Sequence, residues 1–204
     1  MESNMRTQTS TSTRKPGPEA FVLAHPLDEF YAQMGQPLPP LDQLDGEAVP
    51  QPYKQLIVHH DDMTPTLEKF YGRDIHLRVL GRRHRAEEYF REVVLLLDGS
   101  DQPVEFGAIK INLHLFSAET RKQILEERRP LGHILHEQGI KHSSRPKAYL
   151  RLASDKVINE ALSLTGAHVL YGRRNTLFDP ENRSLAEIVE ILPPTAKGNE
   201  ERER

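Results

Sequence analysis

The alternation of apolar and polar positions predicts a chain of short strands and helices. Residues 74–80 (DIHLRVL) and 89–97 (YFREVVLLL) read as strands, and the second is apolar at successive positions, which predicts cover on both faces. Asp98-Gly99 and Gln102-Pro103 mark a turn, after which 104–115 (VEFGAIKINLHL) returns as a strand. A strand at 147–153 and a hairpin of 168–178 with 184–192, around Asp179-Pro180-Glu181-Asn182, complete the extended elements. Between them lie helical patterns. One starts at Thr64-Pro65, with the hydroxyl as cap and Pro in the first turn, and stops at Gly72. Others run from Ser117 to Arg128, over PLGHILHEQ to Gly139, and over 155–164 to Gly166. Hairpins outnumber helical crossovers, so the fold class is α+β with a mainly antiparallel sheet of about six strands.

The ends differ from this body. Pro16, Pro18, Pro26, Pro37, Pro39, Pro40, Pro50 and Pro52 put eight of the fifteen prolines before Tyr53, a density that disfavours regular elements. Residues 1–24 are therefore expected to be a disordered tail, and 35–53 an extended wrap, with one short helix in PLDEFYAQM ended by Gly35. The last ten residues, 195–204, carry mixed charge without an apolar anchor and read as a second tail. One domain over 25–194 is the expectation, in keeping with a length of 204 residues.

Composition removes several chemistries. The absence of Cys excludes disulfides, thiolate nucleophiles and Cys-ligated metals, and suits a cytoplasmic setting. No apolar run reaches the ~20 residues of a membrane span, and the N-terminal segment lacks the apolar core of a secretory signal. A net charge of −3 argues against bulk binding to nucleic acid or anionic lipid. The basic clusters at 81–85 (GRRHR) and 172–174 (GRR) lack interleaved aromatics, so a nucleic-acid module is set aside and the first cluster read as a loop. His133 and His136, and His59-His60 before Asp61-Asp62, form no recognised ligand set, so no metal is expected. No Gly-rich phosphate loop or Gly-x-Ser-x-Gly elbow is present, and no organic cofactor is expected.

Arg91 stands out. It sits mid-strand among apolar neighbours, where an unpaired guanidinium costs several kcal/mol. An internal carboxylate or a bound anion would satisfy it. Glu190, in the apolar strand end VEILPP, poses the matching question. The two are each other's partner or opposite ends of a polar ligand's site.

Several segments carry a resemblance. Asp61-Asp62-Met63-Thr64 with Leu67-Glu68 resembles the D-S-M-T-x-x-(L/F)-E segment of chorismate pyruvate-lyases. Arg91-Glu92-Val93 is similar to their R-E-(V/I) strand, and Pro130-Leu131-Gly132 with Leu135 to their P-L-G-x-x-L helix start. Tyr171-Gly172-Arg173-Arg174 and Glu190-Ile191-Leu192-Pro193 resemble the closing G-R-R … E-x-x-(L)-P hairpin. These segments span about 56–194 in family order, while VEFGAI at 104–109 departs from the ubiquinone-pathway members and points to a distant branch. The resemblance implies a monomer with helices closing over a buried ligand site. It implies that Arg91 grips the ring carboxylate of chorismate, that backbone N–H groups of Met63 and Leu131 beside Gly132 share it, and that Glu190 holds the 4-hydroxyl. The activity implied is a cofactor-free carbon–oxygen lyase releasing pyruvate and 4-hydroxybenzoate, with Arg91 and Glu190 as catalytic groups acting through position and charge. The alternative is a non-catalytic aryl-acid-binding domain of the same fold, as in a class of bacterial regulators. Their N-terminal winged helix is not expected from the Pro-rich residues 1–53.

Overall fold

The computed structural model describes residues 22–195. Along them lie α1 (Leu27–Gln33), β1 (Leu41–Leu44), α2 (Tyr53–Ile57), α3 (Met63–Tyr71), β2 (Ile75–Arg85), β3 (Glu88–Leu97), β4 (Pro103–Asn112), α4 (Ala118–Leu125), α5 (Leu131–Glu137), β5 (Ser143–Ala153), α6 (Lys156–Leu162), β6 (Val169–Phe178) and β7 (Ser184–Leu192). The strands form one sheet of seven in the order β1-β5-β6-β7-β4-β3-β2, antiparallel at every step. The fold is α+β, with one strand more than the apolar pattern shows.

Strand parity divides the core. On β3, Phe90, Val94 and Leu96 face a cluster built with Leu27, Phe30 and Tyr31 of α1 and Ile158, Ala161 and Leu162 of α6. The alternate residues Val93, Leu95 and Leu97 face the other way, against Leu56 and Ile57 of α2 and Met63 and Leu67 of α3. Further along that second face, Ile109 and Ile111 of β4 and Leu177 of β6 pack with Ile124 of α4 and Leu131, Ile134 and Leu135 of α5. The sheet thus lies between two helical layers, which explains why β3 is apolar at successive positions.

Local signals set most boundaries. Gly35, Gly72 and Gly139 each adopt the left-handed conformation just past a helix, with φ of +65°, +67° and +62°. Ser117 and Asp155 cap α4 and α6, their side chains accepting from the N–H of Thr120 and Ile158.

Elsewhere the structure departs from the pattern. Helix α3 begins at Met63 after Asp62, so Pro65 occupies its third position and Thr64 is not the cap. The 35–53 segment is more than a wrap: β1 pairs with β5 from Leu41↔Leu152 to Leu44↔Tyr149, and a 3-10 turn follows at Gly46–Ala48. GRRHR is the second half of strand β2 and no loop; Arg82 pairs with Glu127, and Arg83 and Arg85 both reach Glu29. The two expected tails lie almost wholly outside the described residues. At their inner edges Ala24 and Thr195 are buried.

Candidate functional site

Three rows of residues cross the sheet on the face under α3 and α5. The strand register aligns Arg91, Ile109, Ile188 and Asn175 in one row, and Val93, Gly107, Glu190 and Arg173 in the next. Leu95 and Glu105 face each other in the third. Successive rows lie about 6.6 Å apart and neighbouring strands about 4.8 Å. At the centre stands Gly107, which places no side chain between Val93 and Glu190. A Cβ at Gly107 would meet the carbonyl oxygen of Val189 at 2.2 Å, so no other residue fits this close approach of β4 and β7.

Above these rows is a cavity of about 60 Å³. Its floor includes Arg91, Val93, Glu105, Gly107 and Glu190; its roof is the start of α3 (Asp62, Met63, Thr64) and of α5 (Pro130, Leu131, Gly132). The five residues named from sequence, Met63, Arg91, Leu131, Gly132 and Glu190, therefore line one space. Two histidine–carboxylate contacts hold the roof. His133 of α5 meets Glu68 of α3 at 3.0 Å, and His142, just before β5, meets Asp62 at 2.8 Å. The hydrogen bond to Asp62 raises the pKa of His142.

Arg91 and Glu190 are not each other's partner. Arg91 is 2 % exposed, and its Nε and Nη1 have no hydrogen-bond partner. Burial pulls its pKa down, opposed by the nearby Tyr89 and Glu127. Those two groups are already joined to each other, the Tyr89 hydroxyl donating to Glu127, which also holds Arg82 at 2.9 Å. Glu190 instead accepts from Nε of Arg173, a fully buried arginine. Arg173 also donates to the backbone oxygens of His59 at 3.2 Å and Asp61 at 3.1 Å, fixing the segment that leads into α3. Its second basic neighbour, Arg174, pairs with Glu187 at 3.1 Å.

Two cavity residues escaped the sequence reading. Glu105 is 5 % exposed with Oε2 unpartnered, and burial with the charge of Glu190 raises its pKa well above the usual carboxylate range. Asn175 is buried, donates to Ser144 Oγ at 2.9 Å and leaves its Oδ1 unpartnered. The signal for Glu105 was available: a carboxylate inside the apolar run PVEFGAI, as Glu190 lies inside its own. Among the described residues no group of three or more His, Asp or Glu could hold a metal, and no helix is long and apolar enough to cross a membrane.

No family model matches the chain, and no curated protein matches its sequence. Solved structures do resemble it. The effector domain of PhnF from Mycobacterium smegmatis matches with TM-score 0.49 and 11 % identity over 64 % of this chain and 87 % of that one. A GntR-family transcriptional regulator from Bacillus cereus matches with TM-score 0.42 and 11 % identity, over 59 % of this chain and 92 % of that one. The whole PhnF chain is covered to 64 %, with TM-score 0.49 and 10 % identity over 66 % of this chain. The seven-stranded antiparallel α+β architecture is consistent with the chorismate lyase-like fold that the sequence resemblance implies.

The expectation of a lyase is corrected by these comparisons. The structures reported above are a GntR-family transcriptional regulator and an effector domain, and neither is described as a lyase. Glu190, which the resemblance has holding the 4-hydroxyl, is engaged by Arg173 in the cavity wall. Identities of 10–11 % speak to the fold and leave residue roles to the geometry.

Proposed function

We propose that the chain is a non-catalytic binding domain for a small aryl acid, with the ligand's carboxylate on Arg91. The observation that carries this is the buried guanidinium with two N–H-bearing nitrogens left without partners in the wall of a cavity. A buried charge without a partner costs several kcal/mol, and a bound carboxylate that accepts from the guanidinium offsets that cost. Met63 and Leu131 add first-turn N–H groups, which their own helices cannot satisfy. Val93, Leu95, Leu131, Ile109, Leu177 and Ile188 supply apolar walls for a ring. The cavity as it stands holds roughly four to six waters, less than a ring needs, so the ligand enters by outward movement of α3 and α5.

Titration calorimetry with benzoate and the hydroxybenzoates tests the reading. Binding is expected for the native chain, with a loss of about 100-fold or more in Arg91→Met. Equal affinity in the variant, or no heat with any of these acids, overturns the proposal. Incubation with chorismate is expected to release no pyruvate above the spontaneous rate.

A further inference from the structure

Glu105 is a buried ionisable group at the cavity to which the reading above gives no part. It lies one strand over from Arg91 and four residues further along, hence ~13 Å up the sheet, with both side chains lining the same space. The charged groups around it are few. Glu190 faces it from β7, Arg173 from β6 and Arg91 from β3, while Asp62, held by His142, looks down from the start of α3. Glu190 and Arg173 satisfy each other, and Arg173 turns its remaining donors to backbone oxygens. No cation is therefore left at this end to hold Glu105 as a carboxylate. Burial and the negative charge of Glu190 keep its proton on. A protonated carboxyl has an O–H to donate, and here its Oε2 has no partner.

Resting on the aryl-acid reading, we propose that Glu105 uses its carboxyl O–H to recognise a second, uncharged oxygen on the ligand, and so selects hydroxylated monocarboxylates. A ligand hydroxyl accepts that hydrogen bond and removes the unmatched donor. An unsubstituted ring leaves the donor buried and unpaired, which disfavours it. A second carboxylate would sit beside Glu190 without a cation of its own and is rejected by like charge. The cavity thus has a charged end at Arg91 and a neutral, hydrogen-bonding end at Glu105.

Calorimetry on the full chain with benzoate, 3- and 4-hydroxybenzoate and benzene-1,4-dicarboxylate tests this. At pH 6.5 one of the hydroxybenzoates is expected to bind about tenfold tighter than benzoate, and the dicarboxylate more weakly than benzoate. Glu105→Leu is expected to abolish the difference between the hydroxybenzoates and benzoate, with benzoate still bound. Glu105→Gln, whose amide still donates, keeps most of the preference and makes it independent of pH. In the native chain the preference falls as pH rises and Glu105 loses its proton. If benzoate binds as tightly as both hydroxybenzoates, or if Glu105→Leu keeps the preference, the assignment of Glu105 is wrong and the Arg91 site stands. If none of the four acids binds, both readings fall together.

Discussion

Two arginines lie buried on the same face of the sheet, and their surroundings could hardly differ more. Arg173 spends every part of its guanidinium inside the protein, on Glu190 and on the backbone oxygens of His59 and Asp61. Arg91, one row away and three strands over, leaves Nε and Nη1 facing a cavity. The first is how a chain stabilises a buried cation: a carboxylate neutralises it and carbonyls complete its hydrogen bonds. The second is how a chain prepares for something it does not itself contain. Burial by itself distinguishes nothing here; what differs is the list of partners.

Removing either arginine should expose that difference. Arg173→Met leaves Glu190 uncompensated beside Glu105 and frees the segment before α3. A loss of about 3–5 kcal/mol is expected in denaturant unfolding, and a loss under 1 kcal/mol would make the two sites alike. Arg91→Met should do the reverse. It removes an uncompensated charge, so the ligand-free protein is expected to gain about 1–2 kcal/mol while losing its ligand. Thermal unfolding with and without hydroxybenzoate reads both halves, and a destabilised variant would show Arg91 to be structural.

Glu92 supplies a third case, a buried carboxyl on the opposite face of the sheet with Oε1 unpartnered. Burial pushes its pKa up to about 7 from an ordinary value of 4.5. Between those two values the folded state holds a proton that the unfolded state has lost, so stability falls as pH rises through the window. The contribution is fully present below pH 4.5 and gone above pH 7, and amounts to at most about 3 kcal/mol. Glu92→Gln is expected to flatten this slope and leave ligand affinity unchanged. A change in affinity would mean that the two faces are coupled. The smallest effect belongs to the exposed arginines: Arg85→Ala, which breaks a 3.2 Å contact with Glu29, should shift stability by less than about 1 kcal/mol.

Much of the sheet was legible because its signals are local. The turn at Asp179–Asn182 and the stops at Gly72 and Gly139 depend on backbone conformations that a few neighbouring residues dictate. Strand β1 was not legible: its four residues, LDQL, sit in a proline-rich run and owe their strand conformation to backbone pairing with β5, over 100 residues away. GRRHR was read as a loop because its charges hide the strand, and they are tolerated since β2 is the sheet's edge. At the site, a charged residue in an apolar run was enough to pick out Arg91 and Glu190. Their partners were not readable, because the pairing of Glu190 with Arg173 depends on which residues the register sets side by side. Glu190 does line the cavity, and what the apolar run could not show is that Arg173 holds it there. The lyase expectation was carried by the resemblance, and a fold shared with binding domains does not transmit an activity.

The pinch around Glu190 has a consequence for how this scaffold can diversify. Gly107 on one neighbouring strand and Gly172 on the other each bring backbone so near β7 that an added methyl would stand 2.2 Å from the carbonyl oxygen of Val189 or Glu190. Neither position can accept a side chain without prising the strands apart and carrying Glu190 off Arg173. At Gly107 the cavity floor is therefore peptide backbone that substitution cannot reshape. A descendant of this chain that acquired a different ligand would have to record the change in the side chains around Gly107, at Arg91, Glu105, Leu131 or Asn175, and inherit the glycine unaltered.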